Sequence, residues 1–420
     1  MSARTALPEH HVPTSATQSD AMAAWFVIGA GVSAALHVGK LPPALPVLGE
    51  ALGVSLLQAG FLLSLVQLAG MALGLLVGLS ADTLGLKRSM VSGLLLLTVA
   101  SSLGGLARDA QSLLVLRALE GLGFLLVSMP APSLIRQLVP PARMPAMLGL
   151  WGAYMPLGTA LALLFGPLVI ALAGWEFWWW LLAGLTMFMA GWVLQRVPSD
   201  RQRSLAVQAL SGTVSGWWGR LRQTLRAPGP WLVALSFAVY SGQWLAVIGF
   251  LPTIYAQAGV AGGLSAVLTA LIAGVNMVGN IASGRLLGRG VRAQRLLYTG
   301  FAVMGLSTLL AFFVWPLSAQ GEGLPSVLRF VAVLMFSMLG GMIPGTLFSL
   351  AVRLAPGEGT VSTTVGWMQQ WASLGQFAGP PLVAWVASAA GGWHWTWAVT
   401  GLCSLAGLFL AMQLGRRTSP

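Results

Sequence analysis

Charge is what this sequence has least of. Of 420 residues, 8% are Asp, Glu, Lys or Arg, with ten acids against 22 bases. A soluble domain carries about 25% charged residues, and a water-facing surface of this size cannot be made from so few. Cysteine is nearly absent as well. The single Cys403 excludes an intramolecular disulfide and any multi-cysteine metal site, and reads as a small apolar residue in a late span. Four histidines, two of them adjacent in the N-terminal tail as His10 and His11, leave little for a metal enzyme. No G-x-x-x-x-G-K-[ST] loop occurs, so ATP is not expected as the energy source, and no His-Glu-x-x-His motif occurs. The expectation is a non-enzyme with no cofactor and no metal.

What the chain has is apolar length: 56% of it is hydrophobic. Twelve runs are long enough to span about 30 Å of hydrocarbon. They cover approximately 22–46, 56–80, 89–107, 112–135, 147–173, 176–196, 230–257, 264–288, 294–316, 325–351, 361–389 and 393–415. No water reaches the bilayer core, so the backbone must satisfy itself and these runs are expected to be helices. The first run is too long for a signal peptide and reads as an uncleaved span.

The net charge of +12 is mostly an orientation signal. Eighteen of the 22 cations fall in Arg4, the even-numbered turns, the middle loop and the C-terminal tail, and the opposite loops hold only Arg108. The positive-inside rule then places both termini in the cytoplasm of an inner (plasma) membrane protein, and nucleic acid is not expected as a partner. The organisation read from the chain is a disordered tail at 1–21, a six-helix bundle at 22–196, a cytoplasmic loop at 197–229, a second bundle at 230–415 and a short tail at 416–420. The middle loop carries Trp217 and Trp218 among arginines, as an amphipathic stretch on an anionic leaflet would.

The two bundles repeat one another. Trp25, Pro46 and Gly53-Val54 recur as Trp231, Pro252 and Gly259-Val260 at one offset of 206. Trp151 pairs with Trp367, Gly166-Pro167 with Gly379-Pro380, and Gly174-Trp175 with Gly392-Trp393. Both halves start on the same side, so the repeats are parallel and the substrate site is expected between them near the midplane. The fold class read from the sequence is therefore all-α and membrane-embedded, with twelve helices in two six-helix pseudo-repeats around a central cavity.

The turn after the second span reads Gly78-x-x-x-Asp82-x-x-Gly85-x-Lys87-Arg88. It resembles the signature turn of the major facilitator superfamily. Leu113-x-x-x-Arg117-x-x-Glu120-Gly121-x-Gly123 in the fourth span resembles that superfamily's span-4 motif, and Gly284-Arg285 to Gly288-Arg289 is a degenerate second copy of the turn. The resemblance implies alternating access, with Gly78, Asp82, Gly85, Lys87 and Arg88 as a conformational gate and protons as the coupling ion. Gly39-Lys40 to Pro46, Gln369-Gln370 and Gly379-Pro380-Pro381 loosely resemble the cyanate-permease and nitrate/nitrite-permease-like branch. Only Gly166-Pro167 survives of the drug-antiporter pattern in the fifth span.

Ionisable groups inside a span are functional candidates, because burying them is costly. His37, Lys40, Arg117, Glu120 and Arg329 fall on spans that line the cavity in proteins resembling this family. Three cations against one acid suit a small anion, with the guanidinium groups as bidentate donors. Lys40, Arg117 and Arg329 are therefore the candidate substrate ligands, joined by Tyr240, Gln243, Trp244 and Gln370. His37 and Glu120 are the proton-coupling candidates. Two plainer readings stand beside these: Arg117 and Glu120 are spaced i, i+3 and can neutralise each other, and both arginines lie near the outer boundary and can snorkel. Met338 and Met342 place two thioethers on one face, as Cu(I) prefers, but seventeen methionines make such spacing common. The reading is a monomeric secondary transporter of a small, anionic solute in the lipid bilayer. A multidrug or metabolite exporter is the alternative.

Overall fold

The computed structural model describes residues 18–140, 143, 147, 150–200, 217–314, 324–357 and 360–418, without the side chains of 18–21, 78–84, 217, 362 and 418. His10 and His11 lie outside the described residues. The first half comprises α1 (Gln18–Gly39), α2 (Leu41–Leu52), α3 (Leu56–Ser64), α4 (Leu68–Leu84), α5 (Leu86–Gly104), α6 (Ala110–Ser128), α7 (Ala131–Leu138) and α8 (Tyr154–Arg196). A short surface helix, α9 (Trp217–Arg226), follows. The second half comprises α10 (Pro228–Gln257), α11 (Gly262–Gly288), α12 (Ala293–Phe312), α13 (Ser326–Gly340), α14 (Met342–Arg353), α15 (Val361–Ala390) and α16 (Thr396–Thr418).

These helices make twelve crossings. Ten described stretches are long and apolar enough to cross a membrane. One of them, Leu150–Arg196, has 47 residues, about 70 Å of helix at 1.5 Å per residue. That is two crossings, and Gly174 breaks them apart at φ 86° and ψ 164°. Helix α15 has the length of a crossing, 30 residues, but Thr363, Thr364, Gln369, Gln370 and Gln376 lower its hydropathy. An even number of crossings puts both termini on one face, called here the terminal face. The opposite one is the far face.

The repeat is visible in the backbone. Every positive-φ glycine among the described residues belongs to a matched pair. Gly53 and Gly259 end the first and seventh crossings at φ 64° and 72°. Gly85 and Gly290 make the next turn of each half at φ 86° and 84°, and Gly174 and Gly391 precede the last crossings at φ 86° and 68°, Gly391 standing one residue before Gly392, the sequence partner of Gly174. A side chain would be strained at each.

Several crossings are broken where the sequence withholds a backbone donor. Crossing one is α1 and α2, parted at Lys40 ahead of Pro42 and Pro43. Crossing two is α3 and α4, joined by a 3-10 turn at Leu65–Gln67. Other helix ends are closed locally. Ser55 and Gln58 form a capping box on α3. Asp109 caps α6, accepting from Ser112 N at 2.8 Å, and that backbone hydrogen bond holds its carboxyl below the ordinary value.

The halves meet through small residues. On the far face Gly60 of α3 lies against Pro380 and Pro381, and Gly249 of α10 lies against Leu63. Within the second half, Gly242 of α10 packs backbone to backbone against Gly375 and Gly379 of α15. Lipid offers no hydrophobic drive between helices, so such contact supplies the packing energy. A Cβ at Gly375 would collide with the Ala238 backbone. Gly375→Leu is therefore expected to abolish a monodisperse peak in detergent size-exclusion chromatography, while Gly184→Leu, with open space beside it, leaves the peak unchanged.

Candidate functional site

The cavity between the halves lies toward the terminal face. Its first-half wall carries Phe124, Trp151 and Tyr154, and its second-half wall carries Phe237, Tyr240, Trp244 and Phe348. Trp151 stacks on Tyr154 with centroids 4.1 Å apart and planes at 15°. Phe237 stacks on Tyr240 at 6.1 Å and 20°. The Trp151 ring also fills the space beside Gly31, which walls α1 off, and no α1 residue lines the cavity.

The polar groups of the lining are amides and hydroxyls. Asn276 Nδ2 donates to Tyr240 Oη at 3.0 Å and to Ser337 O at 2.8 Å. Trp244 Nε1 donates to Ser337 Oγ at 3.1 Å, and Asn280 Nδ2 donates to Asn276 Oδ1 at 3.0 Å. Gln67, Ser128, Ser241, Gln369, Ser373 and Gln376 complete the polar part of the wall. Among the described lining residues there is no Lys, Arg, His, Asp or Glu.

The expected cavity cations are elsewhere. Lys40, Arg117, Glu120 and His37 are 0%, 1%, 2% and 0% exposed, and they form a knot inside the first half. The Lys40 ammonium donates to Glu120 Oε1, to Ser101 Oγ at 2.9 Å and to His37 Nδ1 at 3.4 Å. It also lies 4.6 Å from the centroid of the Trp179 ring. Glu120 Oε2 accepts from Arg117 Nη1 at 2.7 Å, as the i, i+3 spacing allows. In the tautomer that satisfies both contacts, His37 donates through Nε2 to Thr186 Oγ1 at 3.3 Å and accepts at Nδ1.

The physical reason for this placement is the broken backbone. Pro42 has no N–H for the carbonyl of Val38, and the bend at Lys40 frees that of His37. Arg117 donates to both carbonyls and, through Nε, to Leu62 O at 3.0 Å beside the 3-10 turn. One guanidinium thus closes the breaks in two crossings, and Glu120 neutralises it. The expectation that Lys40 and Arg117 face the cavity is corrected: the helix breaks take the donors of Arg117, and Glu120, Ser101 and His37 take those of Lys40.

The other candidates divide. Tyr240 and Trp244 do line the cavity. Gln243 does not: its Oε1 accepts from Ser404 Oγ at 3.1 Å on α16, inside the second half. Gln370 is also turned away. Its Nε2 donates to Met71 O at 2.8 Å and its Oε1 accepts from Leu75 N at 3.1 Å, so it pins α15 to α4 across the halves. Arg329 is exposed and donates to Ala311 O at 2.7 Å, closing the C-terminal end of α12. The residues that sequence reasoning missed include Gln67, Phe124, Trp151, Tyr154, Phe237 and Phe348. Trp151 and Tyr154 stand i, i+3, and Trp151 is half of a repeat pair, which was the available signal.

Of the expected gate, the side chains of Gly78 and Asp82 lie outside the described residues. Gly85 makes the turn, and its neighbours form a clamp. The Asp200 carboxylate accepts from Lys87 N at 2.9 Å and Arg88 N at 3.1 Å, at the start of α5. Lys87 Nζ in turn donates to Leu194 O at 2.8 Å and Val197 O at 2.6 Å, at the end of α8. Each charge meets the helix end whose dipole it opposes.

Residues 26–373 match the family model described as the Major Facilitator Superfamily. The chain belongs to that superfamily. Its apolar crossings make it a multi-pass membrane protein. A segment of 178 residues is 32% identical to the puromycin resistance protein pur8 of Streptomyces alboniger, covering 42% of this chain and 35% of that protein. Another, of 356 residues, is 26% identical to plastidic glucose transporter 4 of Arabidopsis thaliana, covering 74% and 63%. A third, of 164 residues, is 27% identical to the tetracenomycin C resistance and export protein of Streptomyces glaucescens, covering 34% and 30%. The chain thus spans less than two thirds of the length of each of these relatives. Its fold is similar to that of a bacterial homolog of the human lysosomal transporter Spinster, solved in an inward-facing and occupied conformation. The TM-score is 0.74 at 14% identity, over 94% of this chain and 96% of that one.

The charge count of the knot makes a signed prediction. Removing Lys40 leaves Arg117 and Glu120 as a balanced pair, whereas removing the Glu120 charge strands two buried cations. Breaking a buried pair from one side costs about 3–5 kcal/mol. Glu120→Gln is expected to lower the detergent melting temperature far more than Lys40→Met. Equal losses would contradict the assignment of Glu120 as counter-ion to both.

Proposed function

We propose that this superfamily member is a secondary transporter of an uncharged solute with a flat apolar body and a few hydrogen-bonding groups. The observation that carries the reading is the lining of the cavity: aromatic rings on both walls, amides and hydroxyls between them, and no ionised side chain among the described residues. A bare anion would gain no counter-charge there, and moving an ion out of water without one is costly. Rings instead gain area and stacking. The anion reading drawn from Lys40, Arg117 and Arg329 loses its basis, because none of the three lines the cavity. The names of two relatives, the puromycin and tetracenomycin C proteins, accord with the exporter alternative.

Transport proceeds by alternating access. Crossings of both halves close the far face, and the cavity lies toward the terminal face; the loop arginines support a cytoplasmic setting for that face in an inner membrane. A single chain completes the cavity, which supports a monomeric working unit. We assign His37 and Glu120 to the scaffold and not to proton transfer, since both ring nitrogens and both carboxylate oxygens are engaged.

Trp151 and Trp244 line the cavity and report on it. Indole and chloramphenicol, both uncharged, are expected to quench the intrinsic fluorescence of the purified protein saturably. Benzoate, nitrite and cyanate at matched ionic strength are expected to leave it unchanged. Saturable quenching by the anions alone would overturn the reading.

A further inference from the structure

Among the buried side-chain polar atoms of the described cavity wall, two stand without a partner. Gln67 Nε2 and Gln376 Oε1 are buried and have no hydrogen-bond partner. Both residues line the cavity, and Gln67 is 2% exposed. The wall's other described side-chain amides and hydroxyls are largely spoken for: Tyr240 with Asn276, Asn280 with Asn276, Ser241 with Ala372 O at 2.8 Å, and Ser128 with Leu125 O at 3.4 Å. A buried polar atom left unpaired costs about 1–3 kcal/mol, and native structures retain few of them. Two on one cavity wall, one a donor and one an acceptor, describe the complement of a ligand.

Their positions are linked. Gln67 ends the 3-10 turn of the second crossing, in the first half. Gln376 is one helical turn beyond Ser373 on α15, in the second half. Ser373 Oγ donates to Gln67 Oε1 at 3.4 Å, which turns the Gln67 amide so that its NH₂ remains free. The donor and the acceptor therefore belong to opposite halves and flank one hydrogen bond between them.

Resting on the uncharged-solute reading, we propose that Gln67 and Gln376 are a specificity pair for a lactam or carboxamide borne on a flat ring. The ligand carbonyl accepts from Gln67 Nε2, and the adjacent ligand N–H donates to Gln376 Oε1. The ring lies between the Trp151–Tyr154 stack and the Phe237–Tyr240 stack. A solute held this way bridges the two halves at the crossing where α3 gives way to α4, so occupancy is felt by both.

The test uses the full-length protein in lipid nanodiscs and fluorescence titration with three probes: isoquinolin-1(2H)-one, its N-methyl derivative and benzoate. The lactam is expected to bind about tenfold more tightly than the N-methyl compound, the equivalent of one hydrogen bond at about 1.4 kcal/mol. Gln376→Leu is expected to equalise the two without weakening the N-methyl compound, and Gln376→Glu, which retains an acceptor, to keep the preference. Gln67→Leu is expected to weaken both, since both keep the carbonyl. Equal binding of the two isoquinolinones to the unaltered protein, a preference that survives Gln376→Leu, or no lactam binding at all overturns the specificity pair. If the two bind equally but benzoate does not bind, the uncharged cavity stands and only the pair fails. If benzoate alone binds, the uncharged cavity fails too.

Discussion

A carbonyl without a donor cannot be left inside a bilayer, and the rest of this structure depends on how that constraint is met. Crossing one is broken by Pro42 and Pro43, and crossing two by a 3-10 turn. Neither break can be hydrated from lipid. Arg117 reaches from crossing four and supplies donors to His37 O, Val38 O and Leu62 O at once. A guanidinium serves this purpose better than an ammonium because its donors form a fixed planar fork. Its charge then requires Glu120, and Glu120 in turn holds Lys40. The knot follows from two prolines and one turn, and it fixes the bends that shape the first half.

Once the ionisable groups are occupied in the scaffold, the cavity is left to neutral chemistry. Its aromatic residues come from crossings four, five, seven and ten, and its amides from crossings two, eight and eleven. The far-face contacts bring the halves together closely, Gly60 against Pro380, Pro381 and Ala384 and Gly249 against the Leu63 side chain, and the knot keeps crossing one bent toward them. Gln370 pins α15 to α4 beside the cavity, whereas its neighbour Gln369 faces into it. Adjacent positions on a helix point about 100° apart, so one can serve the inter-half contact and the other the cavity.

Much of the fold was legible from residue patterns. The twelve apolar runs, the parallel repeat and the turn after Gly85 all follow from length, offset and glycine placement. Three pairs of left-handed glycines give the repeat a physical basis, since only glycine adopts that backbone without strain. The site was less legible. Deep cations suggested an anion ligand, because the sequence shows charge but not the carbonyls that claim it. Arg117 and Arg329 both fall in the first half of their helices, yet one closes buried breaks and the other closes the exposed end of α12. The repeat preserves backbone geometry and not side-chain duty. Gln67 escaped notice because crossing two was not counted among those lining the cavity, and its 3-10 turn has no distinctive composition.

The charged knot is scaffold and stays sealed from the solute path. Thiol accessibility tests it most directly, and a single native cysteine makes it practical. On a Cys403→Ser background, Lys40→Cys keeps the balanced Arg117–Glu120 pair, and Ser373→Cys places a thiol on the cavity wall. A small water-soluble methanethiosulfonate reagent is predicted to modify the cysteine at 373 rapidly and the one at 40 negligibly, with or without a bound aromatic solute. Rapid modification at position 40, slowed by solute, would contradict the account and return the buried cations to the transport site.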